Sequence, residues 1–340
     1  MKKFFPLVLL GLLSLSVKAQ KSSITPLFEE QKVLNLKLRT SIKDIKKKTN
    51  DSTYLPTQLY VKNENGGWDS ISIEVRARGI FRRANCYFTP IRIKVSKGHS
   101  KGTVLDGNKA VKLVMPCQNH DDKNTLVLKE YICYKMYEKI TPYYFNTRLV
   151  ALDFSEPDGK KSKNYQLTAF LIEDDGLVSK RHHAKVMEKL NLHPLALNDT
   201  SSVRHDMFQF MVGNTDWSTT FLHNAKVVFQ APKKYIPIAY DFDMSGFVDP
   251  PYAVVNADLG IANVRERLYR GFCRNEGVVQ YVRKEYLGQE QAIMGILDQY
   301  EKELTPRDFA DTKKFMKEFF DIFKNDKLFK KYIVDGCRNR

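Results

Sequence analysis

Three short stretches in the first half of the chain alternate apolar and polar residues. SISIEVRARGIF sets Ile71, Ile73 and Val75 against polar neighbours, and PIRIKV sets Ile91, Ile93 and Val95 against Arg92 and Lys94. AVKLVMP follows as a third strand, with Asp106, Gly107 and Asn108 marking the turn before it. A period of two predicts half-buried strands. The period then changes. In KNTLVLKEYICYKMYEKI, Leu128, Ile132 and Met136 recur at helical spacing, Asn124 or Thr125 can cap the start, and Pro142 bounds the end. RLVALDF and YQLTAFLIEDD read as a hairpin across SEPDGKKSKN.

Beyond Asp175 the pattern turns mainly helical. SKRHHAKVMEKL predicts a helix, HDMFQFMVG a short buried helix, and AKVVFQ and YIPIAYDFD short strands around the loop APKK. Two long amphipathic helices close the chain, one around Val278 to Tyr300 and one from Pro306 to about Ile333. The second places Phe315, Phe319, Ile322 and Phe323 on one face, which is the stripe of a core-facing helix. Strands first and helices later argue for an α+β fold of two lobes. The expected division is a strand-rich N-lobe with one helix over 20–172 and a mainly helical C-lobe over 173–340.

Residues 1–19 fall outside this pattern. A basic MKK, the mostly apolar FFPLVLLGLLSLSV and VKA before Gln20 have the layout of a secretory signal peptide. The apolar run is too short to span a bilayer. The expected mature protein is therefore exported, to the periplasm or beyond, with no membrane span after cleavage. Cleavage removes three of the lysines behind a formal net charge of +16. That basic balance points to acidic partners such as phosphates, nucleotides or acidic proteins. From Val75 to Leu105 there are eight Lys and Arg and no Asp or Glu. This reads either as a solvated basic face or as a phosphate-facing strand pair. No helix-turn-helix, zinc-finger or aromatic platform motif accompanies the charge, so nucleic acid is not an expected partner. Of five cysteines, Cys133 sits among apolar residues and is expected in a core. Cys86, Cys117 and Cys273 are the better candidates for disulfides. Cys86 with Cys117 would brace the strand-rich half, with Cys273 an equal alternative partner.

Residues 211–246 carry the candidate chemistry. MVGNTDWSTTFLHN is followed by IPIAYDFDMSG, so Asp216, Asn224, Asp241 and Asp243 fall within one short region. Carboxylate and amide oxygens are hard ligands that suit a magnesium ion bridging phosphates. An aspartate near a hydroxyl nucleophile can accept its proton, and phosphoryl transfer depends on such positioning and charge neutralisation. The same residues equally fit turns, caps and a strand end. Lys94, on the polar face of its strand, and Glu130, on the first helix, complete a chain order of strand Lys, helix Glu, two strands, Asp, Asn and strand-end Asp. That is the order of a protein-kinase fold.

VRARGIFRR…YFTPIRIKV, LVLKEYICYKMYEKITPYYFNTRLVALDF, AFLIEDDGLVSKR, VGNTDWSTTFLHN and PIAYDFD resemble segments of the CotH family of secreted or spore-coat kinases, and more distantly HipA-like kinases. The resemblance covers roughly 70–250. It implies a two-lobed protein-kinase-like fold with Asp216 as the catalytic aspartate. Asn224 and Asp241 would be metal ligands, with Asp243 assisting. Lys94 would contact phosphate and be held by Glu130. Arg76 and Arg78 would take the place of a glycine-rich loop, and Glu173 would lie beside the adenine. The implied cofactors are magnesium or manganese and ATP or another nucleotide, and the implied acceptor is a protein or glycan hydroxyl. The alternative is a non-catalytic binding module that holds an anionic partner in the cell envelope.

Overall fold

The computed structural model describes residues 24–339. The expected signal peptide lies outside the described residues. In chain order the first half comprises Pro26–Glu29 (α1), Leu34–Arg39 (β1), Ile42–Lys48 (α2), Leu55–Lys62 (β2), Trp68–Ala77 (β3), Ile80–Asn85 (α3), Ile91–Lys94 (β4), Lys97–Ser100 (α4), Ala110–Val114 (β5), Lys123–Tyr137 (α5), Thr147–Asp158 (β6) and Lys161–Glu173 (β7). The second half runs through Asp175–Arg181 (α6), Lys185–Val186 (β8), Asp199–Val212 (α7), Ala225–Gln230 (β9), Lys234–Ala239 (β10), Glu276–Gly288 (α8), Glu290–Asp298 (α9), Pro306–Lys324 (α10) and Asp326–Phe329 (α11).

The strands of the first half close into a barrel in the order β1-β2-β3-β4-β5-β7-β6. All neighbours are antiparallel except the closing pair, where β1 runs parallel to β6 with Leu34 opposite Val150 and Leu38 opposite Phe154. This overturns the expected two-lobed kinase-like fold, whose strand-rich half would be a lobe with free edges. The reason lies in residues 34–62, which the sequence reading left without strands. LNLKLR and LPTQLYVK form β1 and β2, and they fill the edges that β3 and β6 would otherwise expose. The barrel interior is an apolar core that includes Leu36, Leu59, Ile73, Ile93, Leu113 and Leu152.

The outer wall of the barrel is covered unevenly. Val114, Leu149, Phe170 and Ile172 face away from the barrel core and join a second, larger core with α5. Ten of the fifteen residues of α5 are buried, as expected of a helix apolar on most sides. Beyond α5 this core continues into α7, β10 and the C-terminal helices. The wall of β2, β3 and β4 carries polar side chains instead.

Several predicted elements shift for local reasons. The helix expected over SKRHHAKVMEKL stops at Arg181. His183 there adopts φ 49° and Val186 pairs with Val228. The two closing helices break into α8 and α9 at Gln289, and into α10 and α11 at Asn325. Disulfides join Cys86 to Cys117 and Cys273 to Cys337, and Cys133 is buried as a free thiol. Among the described residues no helix is long and apolar enough to cross a membrane.

The stripe read on α10 is core. Phe319 packs against Phe323, Phe320, Tyr286 and Phe210 with ring centroids 4.1–6.2 Å apart. Phe319→Ala therefore leaves a cavity in the larger core. We expect a loss of about 3–5 kcal/mol in unfolding free energy, measured by urea denaturation.

Candidate functional site

Four segments converge at the face where the barrel meets the helical half. The first begins at Gly213, which ends α7 at φ 65° with the Phe315 ring and the Val264 carbonyl 3.1–3.3 Å from where a Cβ would stand. Only glycine fits there. The Asp216 N–H donates to Asn214 Oδ1 at 3.0 Å. Ser218 and His223 then exchange main-chain hydrogen bonds of 2.8 and 2.9 Å and close a small hairpin. The hairpin returns Asn224 to Asp216 although they are eight residues apart. Asn224 Nδ2 donates to the Asp216 carbonyl at 2.7 Å and to its Oδ2 at 2.9 Å, and His223 Nε2 lies 2.9 Å from Oδ1.

The second segment leaves β10 as Tyr240-Asp241-Phe242-Asp243. Two buried tyrosines of α5 hold it by the main chain. The Tyr137 hydroxyl accepts from Ala239 N–H at 3.2 Å and the Tyr134 hydroxyl from Asp241 N–H at 3.0 Å. Phe242 packs on Tyr134 and Phe208 at 4.8 and 5.4 Å. Asp241 has φ 63° and Asn224 φ 46°. Non-glycine residues held in this region cost about 1–3 kcal/mol and concentrate at functional sites. The Asp241 and Asp243 carboxyls lie within hydrogen-bonding reach of each other. Burial pushes Asp243 up to about 7, Arg82 pulls against it, and the charges of Asp241 and Asp216 reinforce the rise.

The third segment is the turn after β3. Gly79 (φ 76°) starts α3, which carries Arg82 into the interior. Arg82 Nη2 donates to the Met115 carbonyl at 2.8 Å, Nη1 lies 3.7 Å from Glu130 Oε2, and Nε lies 3.5 Å from Asp243 Oδ2. Burial holds the Glu130 carboxyl well above the ordinary range, against the pull of Arg82. Arg78 stands over the Tyr240 ring, 5.5 Å from its centroid. Burial lowers its pKa, and the nearby Asp241 opposes that shift. The fourth segment is the start of α6, where Asp175 bonds to Lys112 of β5 and lies 3.2 Å from Lys226 of β9. Lys112 is 4.7 Å from the Tyr240 ring centroid. Burial lowers Lys112 to about 8, outweighing the attraction of Asp175.

These segments enclose a cleft of about 950 Å³, lined by Arg82, Asp216, Asn224, Lys226, Asp241 and Asp243 among others. Of the residues singled out in the sequence, Asp216, Asn224, Asp241, Asp243, Glu130 and Arg78 meet in or against this cleft. Lys94 does not, and the expected Lys94–Glu130 pair is absent. Ile91 and Ile93 fill the barrel, so Lys94 emerges on the outer wall and pairs with Glu74 across the β3–β4 register at 3.0 Å. Glu130 faces Arg82 instead. Arg76 points to the same outer wall, 2.9 Å from Asp51. Glu173 is buried against Arg181 at 2.8 Å and accepts from Asn146 N–H at 2.6 Å, so its carboxylate is spoken for within the fold.

Sequence reasoning missed Arg82, Lys112, Asp175 and Lys226. Lys112 had a signal: a lysine inside the apolar run AVKLV must be paired if the strand is buried. Among the described residues no group of three or more His, Cys, Asp or Glu is spaced to hold a metal ion. Beside the Asp216 carboxylate, the oxygen donors lining the cleft include the Asp241 and Asp243 carboxylates and the Asn224 amide. Such a set suits a hard cation that takes its remaining ligands from phosphate and water.

Folded Lys112 loses its proton near 8, below the ordinary lysine value of 10.5. Between these values the unfolded chain binds more protons. This group therefore makes the fold more stable as pH rises through that window. Lys112→Met should remove a slope of up to about 1.4 kcal/mol per pH unit from the unfolding free energy. Denaturation curves of both proteins from pH 7.5 to pH 10 check this. No family model and no curated protein matches this chain.

Proposed function

We propose that the cleft binds a nucleoside triphosphate with a divalent cation and transfers its terminal phosphoryl group to a hydroxyl acceptor. The observation that carries this reading is one shared cleft whose lining brings Asp216, bound to Asn224, together with Asp241, Asp243, Arg82 and Lys226, with Arg78 over the ring of Tyr240. It rests on the site and not on the barrel. The cationic side chains neutralise phosphate oxygens, which is the main demand of this chemistry. Asp241, Asp243 and Asn224 would hold magnesium or manganese, which supplies charge neutralisation at the phosphates when bound. In the transfer, the acceptor oxygen bonds to phosphorus and the bond to the nucleoside diphosphate oxygen breaks. The hydroxyl proton passes to the Asp216 carboxylate. The leader-like N-terminus and two disulfides support an exported protein.

One observation favours a second reading, a non-catalytic module that holds an anionic partner. Both Asp216 oxygens accept hydrogen bonds, from His223 and Asn224, as a carboxylate fixed for a structural role would, although each keeps a second lone pair.

Calorimetric titration of ATP with magnesium separates the two, followed by a transfer assay. Wild type should bind, and Asp241→Ala should weaken binding at least tenfold with the fold intact. Asp216→Asn should keep binding and lose transfer by two to four orders of magnitude. If wild type binds ATP and no acceptor gains phosphate, the module reading takes over. If wild type binds no nucleotide with any divalent metal, the nucleotide reading fails.

A further inference from the structure

Asp216 sits between α7 and the Ser218–His223 bridge, in a stretch that belongs to no helix or strand. Side chains must therefore hold its main chain. The Asp216 N–H and carbonyl are met by Asn214 and Asn224. The carbonyls on either side, of Thr215 and Trp217, are both met by Arg270 Nη1, the second at 3.0 Å. Among the described residues neither carbonyl has another partner. The same guanidinium lies 5.6 Å from the centroid of the buried Trp217 ring, which meets His205 edge-on at 4.8 Å.

Among the described residues Arg270 pairs directly with no carboxylate. Burial lowers its pKa, Arg338 adds to that, and Asp216 and Asp206 oppose it from beyond pairing distance. Its hydrogen bonds thus go to the two carbonyls that flank Asp216, and bonds from a charged donor are the stronger kind. The segment that carries it is fixed at both ends. Tyr269 is buried in the larger core, and Cys273 is bonded to Cys337. Arg338 N–H donates to the Gly271 carbonyl at 2.8 Å, and Cys273 N–H to the Arg338 carbonyl at 3.0 Å. Arg270 therefore ties the loop of Asp216 to the braced C-terminal end of the chain.

We propose that Arg270 is a positioning residue for the transfer: by holding the carbonyls before and after Asp216, it fixes the carboxylate to which the acceptor hydroxyl gives its proton. The inference rests on the transfer reading above. Arg270 does not line the cleft, so it acts on turnover and not on nucleotide affinity. It lines a neighbouring pocket of about 600 Å³ that also reaches Asp216.

The test uses the full mature chain with magnesium and ATP, read as ADP release, which counts transfer to any acceptor, water included. Arg270→Ala should lower kcat about 100-fold, the cost of a small misplacement at a reacting group. KM for ATP and the calorimetric affinity should stay within threefold of wild type. Millimolar guanidinium chloride, far below denaturing concentrations, can enter the vacated pocket. It should raise the turnover of Arg270→Ala at least fivefold and leave wild type unchanged, which a merely structural arginine would not produce. Arg270→Lys keeps a charged donor and carries the same kcat and KM comparison if Arg270→Ala does not fold. Hydrogen exchange at the Ser218 and His223 amides, measured without nucleotide, should quicken in the variant. Turnover like wild type, equal losses in kcat and ATP affinity, or no rescue would overturn the proposal. A wild type that releases no ADP sinks the transfer reading and the role of Arg270 with it, whereas an active wild type with an equally active Arg270→Ala sinks only the latter.

Discussion

Glu130 is a carboxylate placed where water does not reach, on a helix packed between the barrel and the helical half. Burial favours the neutral form of this carboxyl, and charging it there without a partner is far too costly, so whatever charge it carries depends on a nearby cation. Arg82 is that cation, and it can arrive only if the turn after β3 folds inward. The same guanidinium faces Asp243 and the Met115 carbonyl. One buried carboxylate thereby joins three segments remote in sequence. Replacing the whole set with well-packed apolar residues could leave a fold of similar stability, so we read the polar set as serving the cleft more than the core.

The helix does a second job through its tyrosines. Tyr134 and Tyr137 are buried among aromatic rings, yet each hydroxyl takes a main-chain N–H from the exit of β10. Those bonds pin a backbone that would otherwise relax out of the left-handed region at Asp241. The charges beyond it then alternate in sign, from Lys112 and Lys226 around Asp175 to Arg82 between Glu130 and Asp243. A site so arranged is close to neutral when empty, and it has cations for phosphate and carboxylates for a metal.

How much of this was legible differed by element. Period-two alternation found β3 and β4, and helical spacing found α5 and the Phe319 stripe, because one buried face writes itself into the sequence. The grouping of Asp216, Asn224 and Asp241 was legible from residue type and order. Barrel closure was not, since β1 pairs with a strand far along the chain and parallel pairing leaves no turn signal. The partner of Glu130 was misread for a similar reason. Lys94 and Arg82 are both basic residues of one stretch, and only the inward turn at Gly79 decides which of them reaches the helix. Nothing in MVGNTDWSTTFLHN announces that Ser218 and His223 will bridge.

The parallel pairing of β1 with β6 has a consequence for how the chain folds. Leu34 finds its partner Val150 only after most of the barrel has been made, and loop closure over such a span is slow. During synthesis the β1–β2 hairpin must wait with Leu36, Leu38 and Leu59 uncovered, since each belongs to the barrel core. The β1–β6 seam is therefore the longest-range pairing in the barrel, and a chain halted before β6 keeps two open sheet edges that invite aggregation.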